Sequence, residues 1–144
     1  MGSRLIWCDD YSINIKSVDS EHKLLFGIFN DLLQTIELET NPDFRKSLIV
    51  SSLTQLRKHV STHFESEEHF MQQNNYPALM EHQIEHRNLM VSIDEFINNY
   101  KRDIVSFDDK IVFFLKDWLV RHIILTDFKI GQYINSLPGS IPVQ

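Results

Sequence analysis

Apolar residues recur every three or four positions along most of the chain, and this spacing predicts four amphipathic α-helices. Proline and asparagine mark the breaks, with Asn41 predicted to cap the second helix and Pro42 to occupy its first position. Asp19 or Ser20 is predicted to cap the first helix. The predicted helices cover residues 20–39, 42–72, 77–101 and 107–136.

The short connections between these helices favour antiparallel neighbours, because a few residues cannot carry the chain back along a helix. The predicted fold is therefore an all-α, up-down-up-down four-helix bundle formed by one domain over residues 1–144. Residues 1–18, which include Trp7, Ile13 and Ile15, are predicted to form an extended N-terminal arm packed across the bundle. Residues 137–144 are predicted to form a frayed tail.

Composition narrows the class of protein. Hydrophobic residues make up 42% of the chain and charged residues 24%, as in soluble globular proteins. The net charge of −6 disfavours binding to nucleic acid and to anionic membranes. No apolar run reaches the ~20 residues of a membrane span, and the N-terminus lacks the pattern of a signal peptide. We therefore expect a cytoplasmic protein. Cys8 is expected to be a small, at least half-buried residue rather than a nucleophile.

Ionisable residues occupy inward-facing positions on all four predicted helices, where apolar residues are expected. One buried histidine alone is usually a hydrogen-bonded structural residue, but several kcal/mol are lost for each buried carboxylate without a partner. A metal cation satisfies such a set together. The predicted metal ligands are His22, His63, Glu67, His82, His86, His122 and Asp127.

Three nearby polar residues fall outside the inward stripes. His59 and His69 are predicted not to bind metal, although His59 is four residues before His63 and a supporting role near the centre stays open for it. Glu68 lies one residue beyond Glu67 and is expected to be solvated.

Five imidazoles and two carboxylates exceed the needs of one ion, and they suit Fe, Zn, Cu or Ni. If two ions share both carboxylates as bridges, together with a solvent-derived oxo or hydroxo group, one ion takes three histidines and the other two. The first ion is then six-coordinate and the second five-coordinate. One vacant position remains inside an apolar core, which suits one small molecule.

The fourth helix carries an unusual spacing. His122 and Asp127 are five residues apart, which is about 500° of rotation in a regular α-helix and turns their side chains about 140° apart. The apolar stripe also slips by one residue at this point. A π-bulge between them is therefore predicted, with side-chain reach as the alternative.

These motifs resemble those of the hemerythrin family, and in particular its single-domain bacterial members, the bacteriohemerythrins. The resemblance covers nearly the whole chain and includes the segments Asp19-x-x-His22-Lys23, His63-Phe64-x-x-Glu67-Glu68-x-x-Met71, Tyr76-Pro77 and Trp118-Leu119-x-x-His122-Ile123-x-x-x-Asp127. It implies a non-haem di-iron site, with one iron on His82, His86 and His122. The other iron would take His22 and His63, and Glu67 and Asp127 would bridge the two.

The resemblance further implies reversible O2 binding at the iron held by two histidines, without catalysis. Residues within one turn of a ligand are predicted to line the O2 pocket: Leu25, Phe26, Phe64, Trp118 and Leu119. Alternative functions are a di-iron enzyme that handles peroxide, nitric oxide or iron oxidation, and a signalling module that acts through a protein partner.

Overall fold

The computed structural model describes residues 4–104, 106 and 109–137, with only the backbone described at 109–111. The described residues form an all-α four-helix bundle without a strand, as predicted. Its helices are α1 (Lys16–Leu38), α2 (Pro42–Gln73), α3 (Leu79–Lys101), α4 (Asp109–Arg121), a π-helical segment (His122–Asp127) and α5 (Phe128–Ser136). The last three follow one another without a break and together make the fourth helix of the bundle. The predicted π irregularity is thus confirmed.

The start of α2 agrees with the prediction. The side chain of Asn41 accepts a hydrogen bond of 3.0 Å from the backbone N–H of Phe44, and Pro42 occupies the first helical position. This cap satisfies one of the N–H groups that have no partner inside the helix. The end at Gln73 differs by one residue from the prediction, and α3 starts at Leu79 rather than at residue 77. The delay follows from the turn after α2, where Asn75 has a left-handed backbone with φ of 53°.

The start of α1 differs more. The helix begins at Lys16, four residues before the predicted start, so neither Asp19 nor Ser20 is its cap. Asn14 has a left-handed φ of 60°, which turns the chain directly into the helix. Asp19 holds the arm instead: its carboxylate accepts hydrogen bonds from the Ser12 hydroxyl at 2.6 Å and the Ile13 N–H at 2.9 Å.

The N-terminal arm is therefore shorter than predicted, and one 3₁₀ turn, Asp9–Tyr11, interrupts its extended backbone. It packs across the bundle as expected. The Leu5 N–H donates to the side chain of Asn30, and the Asn30 amide donates back to the Leu5 carbonyl, both at 2.8 Å. Ile13 and Ile15 are fully buried. Cys8 is exposed, so the expectation that it is at least half-buried was wrong: the arm packs on the bundle through Ile13 and Ile15, and Cys8 does not join that contact.

Two apolar clusters form the core, and the ionisable residues lie between them. The larger cluster includes the inward-facing apolar residues of α2 from Ile49 to Phe64. The smaller one contains Met71 together with Ile13, Ile15 and Ile130. Glu67 lies between Phe64 and Met71 on α2, so the polar residues divide the apolar core along the bundle axis. None of the helices in the described part of the chain is long and apolar enough to span a bilayer.

Some predictions fall outside the described residues. These are residues 1–3 of the arm, the start of the fourth helix at residue 107 and the tail beyond residue 137. The prediction of one domain over residues 1–144 stays a prediction.

Candidate metal centre

All four helices of the bundle contribute ionisable side chains to one point of the core. The seven side chains predicted from the inward stripes are buried there, with at most 4% of any residue exposed. They are His22 of α1, His63 and Glu67 of α2, His82 and His86 of α3, and His122 and Asp127 of the π-helical segment.

The seven residues form two overlapping groups. Within each group one ligand atom per residue lies within 4.8 Å of all the others. The five-residue group consists of Glu67, His82, His86, His122 and Asp127, and the four-residue group of His22, His63, Glu67 and Asp127. Each group could hold one metal ion, and the two carboxylates belong to both.

Glu67 directs its two oxygens to different groups of histidines. Its Oε1 is 2.7 Å from Nε2 of His82 and 3.0 Å from Nε2 of His86. Its Oε2 is 3.1 Å from Nε2 of His63. A carboxylate in this orientation offers one oxygen to each of two neighbouring ions.

Asp127 is arranged in the same way from the opposite side of the cluster. Its Oδ2 is 2.8 Å from Nε2 of His22, and its Oδ1 is 3.0 Å from Nε2 of His122 and 3.2 Å from Nε2 of His82. The π-helical segment makes this possible, because its wider turn returns Asp127 to the face of the helix that carries His122.

Hydrogen bonding leaves much of this cluster unsatisfied. The Nε2 atoms of His82, His86 and His122 make no hydrogen bond despite the short distances. The two carboxylate oxygens of Glu67 and Oδ1 of Asp127 also lack a hydrogen-bond partner. Buried polar atoms without a partner are rare and costly. Imidazole nitrogens and carboxylate oxygens that converge on one point are suitable ligands for a transition-metal ion, so this donor set fits the predicted di-metal centre.

The electrostatics of the cluster favour protonated imidazoles at His63, His82 and His122 and ionised carboxylates at Glu67 and Asp127. Burial and the neighbouring Asp127 act to raise the pKa of Glu67, but the surrounding histidines hold it well below its ordinary value. Burial opposes a charge on His122, yet the interactions with Asp127 and Glu67 raise its pKa well above the ordinary value. The pKa of His82 is raised to about 9, since the same two carboxylates outweigh its burial. Metal binding therefore has to displace protons from these imidazoles.

Three glutamates that the sequence analysis missed contact the outer nitrogens of the histidines. Nδ1 of His63 is 3.3 Å from Glu21, Nδ1 of His86 is 2.8 Å from Glu68, and Nδ1 of His122 is 3.3 Å from Glu85. The expectation that Glu68 is solvated was therefore wrong, because its carboxylate lies against His86 with 28% of the side chain exposed. A signal was available: each glutamate directly adjoins one of the seven residues in the sequence.

The predicted pocket residues do not all contact the same part of the protein. Leu25, Phe26, Phe64 and Leu119 are buried, and Trp118 is half-buried. Phe64 stacks on the His86 ring with centroids 3.7 Å apart, and Trp118 stacks on His122 at 5.2 Å. Both aromatic rings therefore lie against the five-residue group. Phe26 packs under the arm, against Trp7 and Tyr11.

The two remaining histidines lie apart from the cluster. His59 is half-buried and His69 is exposed, and neither belongs to the five-residue or the four-residue group. The prediction that they do not bind metal stays a prediction.

Sequence comparisons match this chain to a family whose description names cation binding. The model of the family "Hemerythrin HHE cation binding domain" matches residues 14–134. A bacteriohemerythrin of Clostridium acetobutylicum is 25% identical over 85% of this chain and 95% of its own. Myohemerythrin of Riftia pachyptila is 32% identical over 88% of this chain and 91% of its own. Hemerythrin of Phascolopsis gouldii is 30% identical over 86% of this chain and 88% of its own.

Solved structures of hemerythrins have the same fold as this chain. The crystal structure of a wild-type hemerythrin superposes with a TM-score of 0.82 at 26% identity, covering 93% of this chain and all of the other. A mutant hemerythrin with a leucine replaced by alanine superposes with a TM-score of 0.83 at 25% identity, covering 94% of this chain and all of the other. The family match over most of the chain, the shared bundle and the buried cluster together lead to one conclusion: the chain belongs to the hemerythrin family.

Proposed function

We propose that this protein binds O2 reversibly at a non-haem di-iron centre in the middle of its helical bundle. One observation carries the proposal: five imidazoles and two carboxylates form two overlapping groups, and both carboxylates are common to the two groups. The names of its relatives, hemerythrin and myohemerythrin, agree with it.

The geometry supports one assignment of ligands. His82, His86 and His122 would hold one iron, and His22 and His63 the other. Glu67 and Asp127 would bridge them, since each directs its two oxygens to different groups. With one histidine fewer, the iron held by His22 and His63 would have a vacant position, and it would supply the electrons for reversible binding of a diatomic ligand.

The ligand set favours binding over further chemistry. Ferritin-like di-iron proteins surround their metals with about four carboxylates and two histidines, whereas the cluster here has two carboxylates and five imidazoles, and an imidazole that binds a metal is neutral. Anionic ligands stabilise highly oxidised iron, so a set poorer in anions disfavours cleavage of the O–O bond.

The protein around the centre is suited to excluding water. Leu25 and Leu119 are each 2% exposed, and Phe64 is 3% exposed. These side chains leave few routes for water or protons to reach the proposed ligand position, and a dry site would slow irreversible oxidation of the iron.

Repeated oxygenation tests the proposal. The iron-loaded protein is reduced under argon, exposed to O2 and returned to argon, and absorption spectra are recorded through many cycles. Recovery of the reduced spectrum in each cycle is expected of an O2 carrier. Irreversible consumption of O2 over many turnovers would instead support an enzyme. His22→Ala should lose the oxygenated spectrum.

A further inference from the structure

We propose that Glu21, Glu68 and Glu85 are positioning residues that hold three of the histidines of the metal centre from outside. The inference rests on the di-iron centre proposed above and extends it to residues that do not face the metals. Each glutamate contacts the Nδ1 atom of one histidine, while the Nε2 atom of that histidine faces the interior of the cluster.

The three contacts follow the order of the helices. Glu21 of α1 contacts His63 of α2, Glu68 of α2 contacts His86 of α3, and Glu85 of α3 contacts His122 of the π-helical segment. The distances are 3.3, 2.8 and 3.3 Å. Each helix thus supports a histidine of the next one.

Each glutamate also adjoins a cluster residue on its own helix: Glu21 precedes His22, Glu68 follows Glu67, and Glu85 precedes His86. An inward residue and its sequence neighbour point in different directions around a helix. The neighbour can therefore pass beside the cluster and reach the adjacent helix.

Two of the glutamates are themselves held in place. The Ser66 hydroxyl donates to Oε1 of Glu21 at 3.2 Å, and the Thr126 hydroxyl donates to Oε1 of Glu85 at 3.2 Å. Each hydroxyl lies on the same helix as the histidine that the glutamate contacts. The glutamate of one helix therefore contacts both a hydroxyl and a histidine of the next helix.

The chemical consequence concerns the tautomer of each ring. A carboxylate accepts the N–H of Nδ1, which leaves the lone pair of Nε2 free to bind a metal and prevents the ring from rotating. Metal-binding histidines commonly depend on such partners, and their loss weakens metal binding about 10- to 100-fold.

The support is unequal between the two groups. His86 and His122 of the five-residue group each have a glutamate. In the four-residue group only His63 has one, because Nδ1 of His22 is buried and makes no hydrogen bond. The iron bound by His22 and His63 should therefore leave the protein first.

Iron release to a strong chelator under argon tests the inference, with the reduced, iron-loaded protein. Two phases are expected in the wild type, one iron in each. Glu68→Ala and Glu85→Ala should accelerate the slow phase about tenfold, whereas Glu21→Ala should accelerate the fast phase by a similar factor. Glutamine at each position should restore the wild-type rate in large part, since its amide oxygen still accepts the Nδ1–H hydrogen bond.

Glu65→Ala and Glu95→Ala serve as matched controls for Glu68 and Glu85, because Glu65 of α2 and Glu95 of α3 are exposed and neither belongs to the cluster. Both should release iron like the wild type, and thermal unfolding should show that all variants are folded. Unchanged release from the three alanine variants would overturn the inference, and so would equal effects of alanine and glutamine. A wild-type protein that binds no iron would instead refute the proposed centre.

Discussion

At the scale of single residues, two carboxylates would allow two metals to share the proposed centre. Glu67 and Asp127 are the only residues common to the two groups identified within the described chain, and each turns one oxygen towards each group. Their position among the histidines also explains their charge. A buried carboxylate is unfavourable alone, but the imidazoles around it hold the pKa of both residues well below the ordinary value.

Replacing His59 and His63 by alanine, one at a time, tests which of these two histidines is needed to bind iron. His59→Ala should retain about two irons per chain, because His59 lies outside both groups. His63→Ala should lose iron, because Nε2 of His63 faces Glu67 at 3.1 Å. Iron content measured by atomic emission checks both variants. Loss of iron from His59→Ala would mean that the ligand assignment is wrong.

Substitution of Leu119 tests whether apolar side chains keep water and anions away from the proposed O2 site. Leu119→Ala should keep the fold and both irons but open a route for water and small anions, since Leu119 is only 2% exposed. Oxidation of the oxygenated protein should then accelerate several-fold, and azide should bind to the oxidised protein faster. Stopped-flow absorption measures both rates. Unchanged rates in a variant that retains its iron would place the pocket on the other side of the centre, where Phe64 and Trp118 stack on histidines of the five-residue group.

Among the elements, the π-helical segment accommodates one residue more than a regular helix would. Leu115 and Leu119 face inward before it, His122 and Asp127 are its buried first and last residues, and Ile130 faces inward after it. Removal of one residue from the segment would return this series to steps of three and four. The segment therefore acts as a one-residue insertion at the metal-binding turn.

Deletion and insertion at this point should have opposite consequences. Deletion of the exposed Leu125 should convert the segment to an α-helix and keep Ile130 and Ile134 buried, with a melting temperature within about 3 °C of the wild type. Insertion of alanine after Leu125 should rotate the downstream helix by about 100° and lower the melting temperature by more than about 10 °C. Circular dichroism measures both. Equal destabilisation by the two changes would contradict this description of the segment.

The arm and α5 meet at a glycine. A Cβ atom at Gly131 would lie 2.1 Å from the carbonyl oxygen of Ile13, a distance that forces the backbone to move. Gly131→Ala should therefore lower the free energy of unfolding by about 2 kcal/mol or more. Gly27→Ala is the control: a Cβ at Gly27 in α1 has no neighbour within 4 Å, so it should be stabilising by about 0.5–1 kcal/mol. Urea denaturation gives both values, and equal effects would exclude the close approach of the arm.

At the scale of the whole molecule, the centre connects all four helices of the bundle. The cluster divides the apolar core and contains buried atoms without hydrogen bonds. Metal ions bound at this cluster would therefore stabilise the fold as well as bind a ligand, because they would bind the folded chain and not the unfolded one.

Removal of the metal should accordingly destabilise the protein. Binding at a thousandfold excess over the dissociation constant stabilises a protein by about 4 kcal/mol, so the iron-free protein should melt about 10 °C lower. Differential scanning calorimetry checks this value. Addition of Fe(II) should restore the transition, whereas Mg(II) should not, because it prefers oxygen ligands. An equal melting temperature with and without iron would argue against a buried centre.

The sequence by itself determined the helical bundle, the seven buried ionisable residues and the π-helical segment. These features depend on position around a single helix, which the spacing of 3.6 residues per turn makes readable in one dimension. The five-residue spacing of His122 and Asp127 is the clearest case, because a regular helix would turn the two side chains apart.

Only the tertiary structure decided which side chains meet across helices. Glu21, Glu68 and Glu85 lie outside the inward stripes, yet they contact histidines on adjacent helices. Asp19 looks like a helix cap in the sequence but binds the arm. Such contacts depend on the rotation and axial offset of one helix relative to another, and these are set by packing of the whole core, which no periodicity within one segment encodes.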